Sequence, residues 1–278
     1  RLNLSHGSLR EKADWIDALH RAERETGLSA GLLIDLRGPE VRTGRTAPDA
    51  LLPEGETVPL SALALPEAVA AGLLPGQELR IDDGGAVLTL ESGDLCRVTR
   101  PGHIAPRKSV ALPGLALHLP PLTVEDLADL ADGPDFGVTA VMQPFVRSRE
   151  ELNAVRRAMD QAGLEKALLY AKVEDAAGLN ALPDWIDGCD VVTAARGDLG
   201  ANLGLEHVPA AQRRIAEVCR RTGKPLLVVT ELLSSMTERP VPTRAEVSDI
   251  CHAVWDGAEH LMLTNETAAG RYPLEAAA

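Results

Sequence analysis

Residues 168–186 read LLYAKVEDAAGLNALPDWI, an apolar run of strand length that passes directly into a helical stretch. The same succession recurs along the chain. VTAVM (138–142) precedes RSREELNAVRRAMDQAG, and CDVVTAA (189–195) precedes AAQRRIAEVCRRTG after Pro209. PLLVVT (225–230) precedes TRAEVSDICHAVWDG, and EHLMLT (259–264) closes the series. Ser148 with Glu151, and Thr243 with Glu246, have the spacing of capping boxes, which predicts helix starts at both places. Upstream, GLLID (31–35) follows the helical SLREKADWIDALHRAERETG, and RLNLS (1–5) is a short strand stub. Strand, helix, strand with short linkers is the pattern of a parallel α/β fold.

Between 45 and 116 the texture changes to Pro, Gly and short alternating pieces such as ELRIDDGGAVLTLES, which predicts a small β domain inserted into the alternation. Six βα strands and the stub make seven, and one more upstream would complete a (β/α)8 TIM barrel. The expected architecture is therefore a barrel incomplete at its N-terminus, formed by 1–44 and 117–278, with 45–116 as the insertion.

Side chains alternate across a strand, so Lys172 and Glu174 share a face. Alone, the pair reads as a salt bridge at a strand end. In a barrel, however, functional residues gather at the C-terminal strand ends, and the chain places many polar residues at that level. They are Arg1, Asn3 and Ser5 on the stub, Asp35 and Arg42 on the next strand, then Asp198, Thr230 and Glu266 after the later ones. A set of this kind is a site. Glu174 and Asp198 follow adjacent strands and could share one Mg²⁺ or Mn²⁺ through oxygen ligands. Gly197 permits close approach of an anion to the backbone, or simply serves a strand-to-helix turn. Arg1, Arg42 and Lys172 supply positive charge for phosphate oxygens. Metal ligands and cations, with no Ser-His-Asp or Cys-His pairing, favour phosphoryl transfer over acyl chemistry.

The composition bounds the rest. A net charge of −13 argues against non-specific nucleic-acid binding, and no apolar run approaches a membrane span. The four cysteines are scattered, which predicts free buried thiols in a reducing cytoplasm. The seven histidines show no metal-ligand spacing. The chain starts without Met and stops in the helix start PLEAAA, as a piece of a longer protein would.

The motifs RLNLSHG (1–7), LLIDLRGPEVRTG (32–44), IDDG (81–84), KSVALPG (108–114), AKVED (171–175), ARGDLG (195–200), VTELLSSM (229–236), PTRAEVSD (242–249) and MLTNETAAGRYPLEA (262–276) together resemble the pyruvate kinase family, in the family's order. The resemblance implies a catalytic barrel with a mobile lid, transferring a phosphoryl group from phosphoenolpyruvate to ADP to give pyruvate and ATP. It implies Glu174 and Asp198 as ligands of Mg²⁺ or Mn²⁺, Lys172 as the cation beside the phosphoryl group in flight, and Arg1 on the phosphate. Thr230 then lies near the enolate methylene and the substrate carboxylate, which Ala195, Gly197 and Asp198 cradle. Arg42 and the lid's Asp83 serve the nucleotide side. Asn3, Ser5, Asp35 and the carbonyl of Leu36 form a K⁺ site, and an acidic Glu40 goes with a K⁺ requirement. A cytoplasmic homotetramer is the family's usual state.

The chain departs from the family pattern at Leu36, Arg37, Ala111, Gln143, Pro144 and Asn265, and at Glu231, which would add negative charge beside an anionic substrate. Two other readings stand beside the first: a metal-dependent 2-oxo acid lyase on a related barrel, and a non-catalytic binding relative. Lys172 and the insertion with Asp83 speak against the lyase.

Overall fold

Strand β1 (Leu2–Asn3) pairs in parallel with β2 (Leu32–Asp35), and between them runs helix α1 (Ala13–Thr26), ended by Gly27 in the left-handed conformation. The computed structural model describes residues 1–115 and 119–278. After β2 the chain leaves the parallel pattern. Strands β3 (Ala50–Leu52), β4 (Thr57–Pro59), β5 (Glu78–Ile81), β6 (Ala86–Ser92), β7 (Leu95–Arg100), β8 (Gly102–Ile104) and β9 (Val110–Ala111) pair antiparallel, with the short helix α2 (Glu67–Ala70) among them. They form a five-stranded sheet, β4-β7-β6-β5-β9, and a two-stranded one, β3-β8.

The alternation then resumes. Helix α3 (Val124–Asp132) leads to β10 (Val138–Gln143), α4 (Arg149–Gln161) to β11 (Leu168–Val173), and α5 (Ala176–Trp185) to β12 (Val191–Ala195). Helices α6 (Arg196–Leu203) and α7 (Val208–Thr222) precede β13 (Leu226–Val229), and α8 (Arg244–Asp256) precedes β14 (His260–Met262). Two short helices follow, α9 (Asn265–Ala268) and α10 (Pro273–Ala277). The seven parallel strands lie side by side in chain order, β1-β2-β10-β11-β12-β13-β14. Parallel strands in chain order need crossovers, and the crossover helices pack on one face of the sheet, in the outer core. Among the described residues the cluster on the other face is built from strand residues alone, and the sheet curls around it.

Side-chain alternation confirms the curl. Ile34, Val141, Leu169, Ala171, Val192 and Val228 join the outer core with the helices, where Trp185 is fully buried. Their strand neighbours Leu33, Met142, Val191, Leu227 and Val229 form a separate inner core with Tyr170 and Met262. Both capping boxes form as the spacing predicts, at Ser148–Glu151 and Thr243–Glu246. The buried face of α4, Leu152, Val155 and Met159, lies at helical spacing.

The antiparallel unit has its own core around Leu79, Ile81, Leu88 and Val98, and it recruits Val41 from the connection after β2. Arg80 crosses from it to the parallel unit, donating to the Ala201 carbonyl at 2.8 Å. The expected boundary at 116/117 lies outside the described residues. No helix among the described residues is long and apolar enough to cross a membrane.

Candidate active site

Tyr170 belongs to the inner core, so Lys172 and Glu174, two and four residues on, point toward the axis of the curl. Lys172 Nζ lies 2.8 Å from Glu174 Oε1 and 3.4 Å from Asp35 Oδ1. The salt bridge is real but is not at a water boundary, because the three side chains are only 13%, 0% and 2% exposed. An ion group buried this deeply is a poor source of stability and a strong indication of function. Burial works against the Lys172 charge, but Asp35, Glu174 and Asp198 outweigh it and hold the ammonium above its ordinary range. Burial also pushes the Glu174 carboxyl up, against the pull of Lys172 and with the help of Asp198.

Two groups fix this carboxylate's surroundings. The Phe145 amide donates to Glu174 Oε2 at 2.7 Å, from a backbone with φ of 51° that no glycine supplies. Asn202 Nδ2 donates to the carbonyls of both Glu174 and Asp198, at 3.2 and 3.0 Å. Neither residue is among the candidates that the sequence offers. Asn202 is legible afterwards as the residue one helical turn beyond Asp198, whereas nothing marks Phe145.

The segment ARGDLG is helix, not loop. Helix α6 starts immediately after β12, and Gly197 and Asp198 lie in its first turn. Gly197 is needed for space: a Cβ there would sit 3.0 Å from Thr230 Cγ2. Thr230 has φ of 81° and Glu231 has φ of 54°. For a β-branched residue this is strained backbone, worth about 1–3 kcal/mol. Arg196 spans the two carbonyls, donating to Thr230 O through Nε at 3.1 Å and Nη2 at 2.7 Å, and to Glu231 O at 3.2 Å.

These residues open on a cleft of ≈ 1290 Å³ between the C-terminal strand ends and the antiparallel unit. Lys172, Glu174, Ala195, Asp198 and Thr230 line its floor. Arg1, Asn3, Ser5, Asp35, Leu36 and Arg42 line the side next to β1 and β2, and Asp83 faces them from the antiparallel unit. Gly197 stands behind Thr230. All the residues nominated as ligands or catalysts are thus brought together. Asp83 and Glu40 are near enough that their charges, with burial as the first cause, raise Asp198 against the opposing pull of Lys172.

Glu174 and Asp198 make an oxygen pair suited to a hard divalent cation, and Glu174 Oε1 is a buried oxygen that meets the Lys172 ammonium at 2.8 Å. Among the described residues, no group of three or more His, Cys, Asp or Glu forms a metal cage. Further ligands would therefore come from substrate or water. Asp35 Oδ1 is buried and makes no hydrogen bond, with Lys172 Nζ 3.4 Å away, while Arg1 Nε holds Oδ2 at 3.0 Å. Asn3 Oδ1 accepts from the Ser5 amide at 2.9 Å. With the Ser5 hydroxyl and the Leu36 carbonyl, this donor set is all oxygen. Arg42 is forked onto Glu40, with both contacts at 2.9 Å.

Three expectations change. Glu266 does not line the cleft; it is buried, and its carboxylate accepts from the Leu233 and Thr264 amides at 3.0 and 2.6 Å. Glu231 is exposed and turned into a different cavity, bounded by α7 and α8, so its charge does not face the cleft. Cys251 is exposed, while Cys96, Cys189 and Cys219 are buried. The remaining departure of note, Gln143, is buried and points its amide at the Pro121 and Pro144 carbonyls.

A family model described as pyruvate kinase, barrel domain, matches residues 1–277. The chain is 38% identical to the pyruvate kinase of Aeropyrum pernix, covering 99% of the chain and 62% of that protein. It is 36% identical to the pyruvate kinase of Mycobacterium tuberculosis, covering 99% and 61%. Against the pyruvate kinase of Methylorubrum extorquens the figures are 39%, 99% and 60%. The chain therefore spans about three fifths of the length of the curated relatives it matches.

Proposed function

Because this chain belongs to the pyruvate kinase family, we propose that the full protein containing it transfers the phosphoryl group of phosphoenolpyruvate to ADP, giving pyruvate and ATP. The observation that carries this reading is the Lys172 ammonium, held in the cleft floor between Asp35 and Glu174. Phosphoryl transfer needs little covalent help from a protein; it needs positioned charge. Lys172 offers that charge as an ammonium that stays protonated, because the carboxylates around it keep it cationic against burial.

The other residues divide the task. Arg1 receives the phosphate, and Arg42 with Asp83 meets the nucleotide across the cleft. The start of α6, with Ala195, Gly197 and Asp198, receives the substrate carboxylate, where helical amides favour an anion. Thr230 faces the methylene carbon to which a proton is delivered. Glu174 and Asp198 would hold Mg²⁺ or Mn²⁺, which supplies Lewis-acid charge toward the substrate's oxygens when bound. Asn3, Ser5, Asp35 and the Leu36 carbonyl would hold K⁺. We read the antiparallel unit as a lid on the cleft, and the enzyme as a cytoplasmic homo-oligomer.

The test is ADP-dependent pyruvate formation from phosphoenolpyruvate by the full protein, with Mg²⁺ and K⁺ present. Turnover is expected. Binding of phosphoenolpyruvate and ADP without turnover would leave the non-catalytic relative in its place.

A further inference from the structure

Arg196 is a charged residue of the ARGDLG segment to which the reaction assigns no part, yet its side chain makes four hydrogen bonds. Its side chain is 10% exposed. Nε and Nη2 converge on the Thr230 carbonyl, Nη2 also reaches the Glu231 carbonyl, and Nη1 pairs with Asp249 of α8 at 2.7 Å. Both carbonyls belong to residues in the left-handed region, neither of them glycine. We propose that Arg196 is a positioning residue for the reaction: it holds the Thr230–Glu231 backbone in its strained form, so that the Thr230 side chain faces the cleft beside Asp198. The inference rests on the phosphoryl-transfer reading given above.

A threonine at positive φ relaxes toward ordinary extended or helical angles unless neighbours over-determine it. The guanidinium is a planar fork of five donors with a permanent charge. It satisfies two adjacent carbonyls at once, which is possible only when both residues adopt the observed turn. Asp249 anchors its far edge, so the fork cannot follow the strand if the turn relaxes. The turn also gives the two residues different surroundings: Thr230 reaches the cleft as well as the cavity bounded by α7 and α8, whereas Glu231 lines only the latter. Because Arg196 opens α6, one residue ties the end of β13 to the helix turn carrying Gly197 and Asp198. Gly197 leaves the room into which Thr230 Cγ2 packs. Lysine has the charge but a single donor head, so it cannot hold both carbonyls and Asp249 together.

The test uses the full protein with Arg196→Lys, Thr230→Ala and the double variant, and Asp249→Asn as a milder loosening of the same fork. Arg196→Lys is expected to lower kcat at least tenfold while KM for phosphoenolpyruvate changes less, and Asp249→Asn to lower kcat a few-fold. If Arg196 acts through Thr230, adding Arg196→Lys to Thr230→Ala costs little more than Thr230→Ala alone. Added guanidinium should restore part of the kcat lost in Arg196→Ala. Independent, multiplying losses in the double variant would overturn the inference, as would parental kcat in Arg196→Lys. A crystal structure of Arg196→Lys separates this from the activity reading: Thr230 is expected at negative φ, and its retention near the parent value overturns the inference whether or not the parent turns over phosphoenolpyruvate. Should the Arg196 variants not fold, Asp249→Asn carries the same cycle with Thr230→Ala, and additive losses there overturn it equally.

Discussion

Lys172 near the end of β11 and Glu174 just past it share one face, with Nζ and Oε1 2.8 Å apart in the floor of the cleft. The pair is an ion pair at rest and two separate tools in the proposed reaction. Replacing Lys172 by Met is expected to lower kcat by about 10²–10³-fold or more, the scale of losing one preorganised charge at a transition state. Mn²⁺ binding, followed by electron paramagnetic resonance, should persist or tighten, because Glu174 and Asp198 lose a competing cation. Near-parental turnover in Lys172→Met would show that the ammonium is structural.

The partner carboxylates should behave differently. Glu174→Gln or Asp198→Asn removes one of two anionic oxygen ligands, so the Mg²⁺ concentration for half-maximal activity is expected to rise at least about tenfold. Glu174→Gln also swaps the acceptor for the Phe145 amide from a carboxylate to an amide, so its effect should be the larger. Unchanged metal titrations in both variants would eliminate the shared-metal arrangement.

Gly197→Ala tests the crowding behind Thr230. The added Cβ would meet Thr230 Cγ2 at 3.0 Å, tighter than normal packing, so either side chain or backbone gives way by a few tenths of an ångström. A lowered kcat with thermal stability close to the parent is expected. Equal kcat would mean that Thr230 has slack, and that its placement is not critical.

What the sequence reveals and what it hides follow one physical division. The inward face of β11 is legible because alternation is local: once Tyr170 is inside, so are Lys172 and Glu174. The capping boxes at Ser148 and Thr243 are legible because donor and acceptor are three residues apart. The direction of Glu231 is not, since it depends on positive φ at two successive non-glycine residues, imposed by an arginine 34 and 35 residues away. Phe145 and Glu266 fall in the same class. Their amide and carboxylate contacts join separate strand ends, across 29 and 33 residues. The helical setting of Cys251 predicts burial, but α8 turns that face outward.

Glu246 gives a prediction about stability and pH. Burial alone would raise its carboxyl, but the hydroxyl and amide donors of Ser235 and Thr243 hold it down to about 2, from an ordinary 4.5. A carboxyl depressed in the folded state contributes stability above its unfolded pKa and loses it as pH falls through the folded one. Glu246→Gln should therefore unfold at lower temperature than the parent at pH 7, with a cost of about 0.5–2 kcal/mol, as for other capping contacts. The gap should narrow between about pH 4.5 and pH 2. A gap constant over that range would mean that the charge of Glu246 contributes nothing.

The monovalent cation turns on Glu40. Its carboxylate is forked onto Arg42 inside the cleft, and burial raises it while Arg42 and Lys172 pull it down. Glu40 also counts among the charges that raise Asp198. It is thus an anion added to a cleft that must receive anionic substrates, and its pairing with Arg42 spends a cation that would otherwise meet phosphate. K⁺ in the oxygen set of Asn3, Ser5, Asp35 and Leu36 would return the missing positive charge and order the Asp35 oxygen that makes no hydrogen bond. Activity of the full protein is therefore expected to rise strongly with K⁺ but not with Li⁺ at equal ionic strength, since Li⁺ is too small for a site shaped by fixed oxygens. Glu40→Lys replaces the anion by a local cation and frees Arg42, so the K⁺ dependence should flatten while KM for ADP shifts. If the pair were only a surface contact, its removal would change neither. Equal rates in K⁺ and in a tetraalkylammonium salt would end the argument for a bound ion, because only the charge of the medium, and not a fitted cation, would then be at work.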